Sequence, residues 1–205
     1  MPEFPIPVLG ICAFSGTGKT TLLTAVLPLL RAWGLRVVVI KHAHHSFDLD
    51  YPGKDSYELR KAGAAQMLVA SRQRVALIRE YEHERAEPSL SDALAMVDPQ
   101  GMDLVLVEGF KREDLPKIEL CRPSRGKPLM CGRDANIIAV ASDGPVELPR
   151  DLPLLDLNSP PQVAAFILRW AGFGDHLSSG EQVTSCRAPG SPANPVVPTP
   201  GTPGR

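Results

Sequence analysis

The run Ala13-Phe14-Ser15-Gly16-Thr17-Gly18-Lys19-Thr20 joins two glycines to a cation and hydroxyls, the side chains that would grip a phosphate. Gly16 and Gly18 can take backbone angles that other residues avoid, so several N–H groups can turn inward on one anion. Lys19 offers a mobile charge for outer phosphates, and the Thr20 hydroxyl suits a Mg2+ ligand. The run follows the apolar stretch Val8-Leu9-Gly10-Ile11-Cys12 and leads into Thr21-Leu22-Leu23-Thr24-Ala25-Val26-Leu27, which reads as a helix. A helix mouth adds unpaired N–H donors and the positive end of its dipole. This is the arrangement of the phosphate-binding loop of nucleoside triphosphatases. Ala13 stands where the strict pattern has its first glycine, and its small side chain suits the strand-to-loop turn.

Further along the chain, Met102-Asp103-Leu104-Val105-Leu106-Val107 runs into Glu108-Gly109. An apolar strand that ends in an acid places a carboxylate where Mg2+ or its water would be held. The acid is Glu108 rather than the usual aspartate, and Asp103 lies at the wrong end of the strand. Another apolar run, Asn136 to Ala141, ends in Ser142-Asp143. A carboxylate there could accept from the N1–H and N2 amino group of guanine, a pairing adenine cannot reproduce, so Asp143 favours GTP. Between Ile40 and Gly53 lies a polar segment with His42, His44, His45, Asp48 and Asp50. Three readings stand for it: a nucleotide-sensing loop with Asp48 or Asp50 near Mg2+, a dedicated metal site, or a solvated loop. Arg122, Arg125, Lys127 and Arg133 form a basic loop that either meets an anionic ligand or partner or is solvated.

The elements that must position these groups follow from periodicity. Leu22, Leu23, Val26, Leu27, Leu29 and Leu30 recur at helical spacing, Pro28 predicts a kink or an early last turn, and Gly34 suits the C-cap. Arg36 to Lys41 is a β-branched run typical of a buried parallel strand, which completes a right-handed βαβ unit. Lys54 to Ala62 reads as a short helix, Gln66–Ala70 and Arg74 to Arg79 as a hairpin or adjacent strands, and Ser89 to Val97 as a helix capped by its serine. Lys117–Cys121 reads as one more strand, and Ser159 to Trp170 as the last helix. The fold class expected is α/β: a three-layer phosphate-loop fold with a mostly parallel sheet and helices on both faces.

Composition narrows the function classes. The 205 residues fit one domain, and a net charge of -1 argues against a nucleic-acid binder. Cys12, Cys121, Cys131 and Cys186 form no Cys-x-x-Cys pair, which suits free thiols in a reducing cytoplasm. Met1 to Pro5 carries no basic region, so no signal peptide is expected, and no segment is long enough to span a bilayer. After Gly172 the composition shifts to Pro, Gly, Ser and Thr, so residues 1–174 are expected to be the domain and 175–205 a disordered tail or linker.

Taken together, the phosphate loop with Thr21-Leu22, Ile40-Lys41-His42-Ala43-His44-His45 with Asp48-Leu49-Asp50, Pro52-Gly53-Lys54-Asp55-Ser56, Arg60-Lys61-Ala62-Gly63-Ala64, Val107-Glu108-Gly109-Phe110-Lys111 and Ala139-Val140-Ala141-Ser142-Asp143 resemble the MobB family of molybdopterin-guanine dinucleotide biosynthesis adapter proteins. The resemblance spans about Pro7 to Gly172 and leaves out the tail. It implies a fold similar to dethiobiotin synthetase-like GTPases and a cytoplasmic GTP-binding homodimer that uses Mg2+ and hydrolyses GTP weakly. The partner it implies is MobA, the guanylyltransferase that makes molybdopterin-guanine dinucleotide, with the molybdopterin cofactor as a further candidate. Ser15, Gly16, Thr17, Gly18, Lys19, Thr20 and Thr21 would hold the nucleotide, Glu108 would face Mg2+, and His42, His44 and His45 would lie in a switch or partner loop. No catalytic residue is assigned, so the chain is expected to be mainly an adapter and at most a slow GTPase. Rival readings are a small-molecule kinase or ligase-like enzyme built on the same loop, or a metal chaperone using the His-rich segment.

Overall fold

Val8–Cys12 is buried along its whole length because it forms β1 inside a six-stranded sheet. The computed structural model describes residues 4–43, 47–83 and 85–174. The strands are β1, β2 (Val37–Lys41), β5 (Leu104–Glu108), β6 (Lys117–Cys121), β7 (Ile137–Ser142) and β8 (Leu154–Asp156), in the order β2-β5-β1-β6-β7-β8. Every pairing in this sheet is parallel. A parallel sheet needs crossovers that cover its faces, which is why its central strands read as continuous apolar runs rather than alternating ones. A separate antiparallel hairpin pairs β3 (Gln66–Ala70) with β4 (Val75–Arg79).

One face is covered by α1 (Lys19–Ala32) and α4 (Pro160–Trp170). Leu22, Leu23, Val26 and Leu30 of α1, with Val163, Ile167 and Leu168 of α4, pack on Leu9, Ile11, Leu106, Ile118 and Ala139. On the other face α3 (Leu90–Leu94) sets Leu90 and Leu94 against Val105 and Val107. Beside it Cys12, Cys121, Cys131, Ile137 and Val140 close under a loop carrying Leu129 and Met130. The three-layer α/β architecture expected from the periodicity is the one found.

Some details differ from expectation. α1 runs through Pro28 to Ala32, so the proline does not end the helix. α3 stops at Leu94, and α2 (Asp55–Lys61) lies within the expected Lys54 to Ala62 span. β8, with one buried residue of three, carried too short an apolar run to announce itself. The Pro-rich tail, His44 and His45 lie outside the described residues.

β6 carries two buried charges, and each has a positioning task. The Lys117 ammonium donates to the carbonyls of Glu113 (2.7 Å) and Lys111 (3.3 Å) and pairs with Asp134 at 2.8 Å, which fixes the turn after β5. Its stem needs Gly10 opposite, where a Cβ would lie 2.7 Å from Lys117 Cγ. The Glu119 carboxylate accepts from the amides of Met130 (2.7 Å) and Cys131 (2.9 Å), which ties down the loop after β6. Burial still pushes its carboxyl above the ordinary range.

Candidate functional site

The carboxyl ends of β1, β5, β6 and β7 lie along one edge of the sheet, where open α/β proteins place their ligands. β1 delivers residues 13–18 as a glycine-rich turn. Gly16 (φ 75°) and Gly18 (φ 105°) both take left-handed backbone angles, and Gly18 caps α1 with its carbonyl accepting from Leu22 N–H at 2.9 Å. Thr17 is buried, and its hydroxyl donates to the Phe14 carbonyl at 2.8 Å, which closes the turn on itself. Lys19 and Thr20 open the helix.

β5 brings Glu108 to the same place. Its register sets Glu108 beside Ile11 of β1 and Lys41 of β2. The Thr20 hydroxyl donates to Glu108 Oε1 at 3.3 Å, and Lys41 Nζ lies 3.8 Å from Oε2. A hydroxyl and a nearly buried carboxylate meeting at a helix mouth are the hard oxygen donors that Mg2+ prefers. The chain then turns sharply through Gly109 (φ 101°) and Phe110 (φ 49°). A Cβ on Gly109 would lie 2.7 Å from His42 Cβ, so glycine is required twice over. The His42 ring stacks on Phe110 at 4.5 Å, its amide donates to the Glu108 carbonyl at 2.9 Å, and its Nε2 lies 2.7 Å from Glu87. His42 is thereby packed onto the turn that follows Glu108.

Asp143 stands at the end of β7, and Arg122 holds it at 2.5 Å. Arg122 also donates through Nε to the Thr17 carbonyl at 2.8 Å, and Arg125 reaches the Ser15 carbonyl at 3.5 Å. Both arginines come from the short 3-10 turn Pro123–Arg125 and its N-cap. By residue type alone they form a basic loop. Their return to the glycine-rich turn depends on a helical turn too short to leave a periodic signal.

The Asp48 and Asp50 carboxylates gather on Arg60 of α2. Arg60 is buried and pairs with Asp48 at 2.6 Å, with Asp50 at 3.8 Å and with Glu80. Partial burial pushes the Asp48 carboxyl up, but the Asp50 amide and the Arg60 guanidinium outweigh it and hold it below the ordinary range. Asp48 and Asp50 are thus anchored to α2, which is tied in turn to Glu80 at the end of the hairpin. Among the described residues no group of three or more His, Cys, Asp or Glu side chains could hold a metal ion. On the far side of the turn, Phe14, Lys111, Leu129, Met130, Arg133 and Val146 help line an open cavity of about 680 Å³.

The fold and site define an open, parallel α/β protein whose glycine-rich turn and helix mouth face a strand-end acid. The chain belongs to the MobB family: residues 8–143 match the family described as Molybdopterin guanine dinucleotide synthesis protein B. It is similar to the molybdopterin-guanine dinucleotide biosynthesis adapter protein of Escherichia coli, at 51% identity over 80% of this chain and 93% of the relative. The protein of the same name from Haemophilus influenzae is 46% identical over 80% of this chain and 89% of its own. Among solved structures, a MobB protein homolog from Bacillus stearothermophilus matches with a TM-score of 0.60 at 26% identity, covering 80% of this chain and 97% of that one. No helix among the described residues is long and apolar enough to cross a membrane.

Proposed function

We propose that this chain is a cytoplasmic GTP-binding adapter in molybdopterin-guanine dinucleotide synthesis, acting as a homodimer with the guanylyltransferase MobA. The observation that carries the reading is the meeting of Thr20 with Glu108 beside Gly16, Gly18 and Lys19. In this reading the amides of residues 15–21 hold the phosphates and Lys19 neutralises the outer ones. Mg2+, held by Thr20 and Glu108, supplies charge to the β- and γ-phosphates when bound. Asp143 reads guanine, and Arg122 yields part of its hold on that carboxylate when the base arrives. The pairing of Asp48 and Asp50 with Arg60 supports a responsive loop at residues 42–53 better than direct metal ligation by these two carboxylates. Because His42 packs on the turn after Glu108, nucleotide binding would be felt by that loop and by whatever surface it presents to MobA.

The test is reconstitution of the purified chain with MobA, GTP, Mg2+ and molybdopterin. The expected result is binding to MobA and a higher yield of the guanine dinucleotide, both lost in Lys19→Ala while the fold remains. Neither binding nor a gain in yield would overturn the adapter reading.

The open cavity beside Phe14 favours a second reading, in which a small molecule bound there receives a phosphoryl group. Fast, substrate-dependent phosphate transfer by the isolated chain would establish that reading instead.

A further inference from the structure

Ser15 and Gly16 share one peptide unit, and Thr17 and Gly18 share another. In a trans peptide the C=O and the N–H point in opposite directions. Arg125 Nη1 donates to the Ser15 carbonyl at 3.5 Å and Arg122 Nε to the Thr17 carbonyl at 2.8 Å. Each guanidinium therefore grips, from outside, the plane of a peptide whose N–H belongs to Gly16 or Gly18 and points the other way. The guanidinium groups come close to both glycines. A Cβ on Gly16 would sit 2.8 Å from Arg125 Nη1, and one on Gly18 would sit 3.4 Å from Arg122 Nη2. Glycine is the residue with the least backbone order of its own, so a pair of external struts has the most to contribute there.

The struts are themselves anchored. Arg122 and Arg125 are held three residues apart by the 3-10 turn, with Arg125 N–H donating to the Arg122 carbonyl at 2.9 Å and Gly126 (φ 60°) ending the turn. The second edge of Arg122 is bound to Asp143 at 2.5 Å.

We infer that Arg122 and Arg125 are positioning residues that aim the Gly16 and Gly18 amides before an anion arrives. This inference rests on the phosphate-binding reading of the glycine-rich turn. Arg125 acts on the turn alone. Arg122 spans the turn and Asp143, so one side chain links the phosphate end and the base end of the bound nucleotide.

Calorimetric titration of the full chain with GTP, ATP and inorganic tripolyphosphate tests this, together with Arg125→Ala, Arg122→Ala and Arg122→Lys. Arg125 is exposed, so its alanine variant keeps the fold. It should weaken GTP and tripolyphosphate by the same factor, roughly threefold in keeping with its long contact. Arg122→Ala should weaken both by about tenfold and also change the GTP-to-ATP ratio, and Arg122→Lys should recover part of the loss. In the ligand-free variants the Gly16 and Gly18 amide NMR signals should shift and broaden, which direct contact between arginine and phosphate alone would not produce. Unchanged tripolyphosphate affinity in both alanine variants, or unchanged glycine amide signals, would overturn the inference. A wild-type chain that binds tripolyphosphate but GTP no better than ATP removes only the guanine reading. One that binds none of the three removes both.

Discussion

Thr20 and Glu108 are separated by 88 residues of sequence and meet because parallel pairing brings the ends of β1 and β5 to one edge. At this scale the positions of Thr20 at a helix mouth and of Glu108 and Asp143 at strand ends were legible from sequence, while the roles of Lys19 and Asp143 belong to the proposal. Arg60 was not. One basic residue in a short polar helix carries no sequence signal of burial, and only the arrival of Asp48, Asp50 and Glu80 from other segments makes its burial tolerable. Asp143 carries the residue-scale prediction. Asp143→Ala should bring GTP and ATP affinities towards parity in competition titrations, because the proposed acceptor for the guanine N1–H and N2 amino group is gone. A preference that survives would place base recognition elsewhere.

The elements that hold the site were mostly readable from their apolar periods, and what escaped was short. β8 and the 3-10 turn Pro123–Arg125 each span three residues, too few to establish a period of two or of three to four. α3 shows how a side chain can define an element that small. Ser89 accepts from the Asp92 amide at 3.1 Å while the Ser89 amide donates to the Asp92 carboxylate at 3.0 Å, a reciprocal capping box. Ser89→Ala should lower stability by about 1 kcal/mol in a denaturant titration. The Ser89 hydroxyl and amide also hold the Asp92 carboxyl below its ordinary 3.8. Its contribution is therefore present above that pH and lost as pH falls through it and lower. Acid titration of Asp92→Asn should show a shallower loss of melting temperature below about pH 4 than wild type. Equal slopes would mean that other carboxylates control that limb.

At the scale of the molecule, the hairpin is the part that the sheet does not explain. One face of β3–β4 presents Leu68 directly opposite Leu77, with Val75 beside them, and they are 61%, 46% and 66% exposed. A two-stranded ribbon is marginal by itself, and a second copy covering this face would supply what it lacks. If the proposed homodimer forms through this face, wild type should sediment as a dimer and the double variant Leu68→Lys, Leu77→Lys as a monomer. A wild-type monomer, or a variant that remains dimeric, would exclude this face as the interface. The strand order also has a temporal consequence. β1, the first strand in chain order, pairs with β5 and β6, which are roughly a hundred residues downstream. At a translation rate of about 5–20 residues per second, its apolar stretch waits on the order of 5–20 s after synthesis for either neighbour. The glycine-rich turn hangs from β1, so the site cannot take shape until β5 and β6 are made. During that interval the apolar side chains of β1 are without the strands that cover them in the finished sheet.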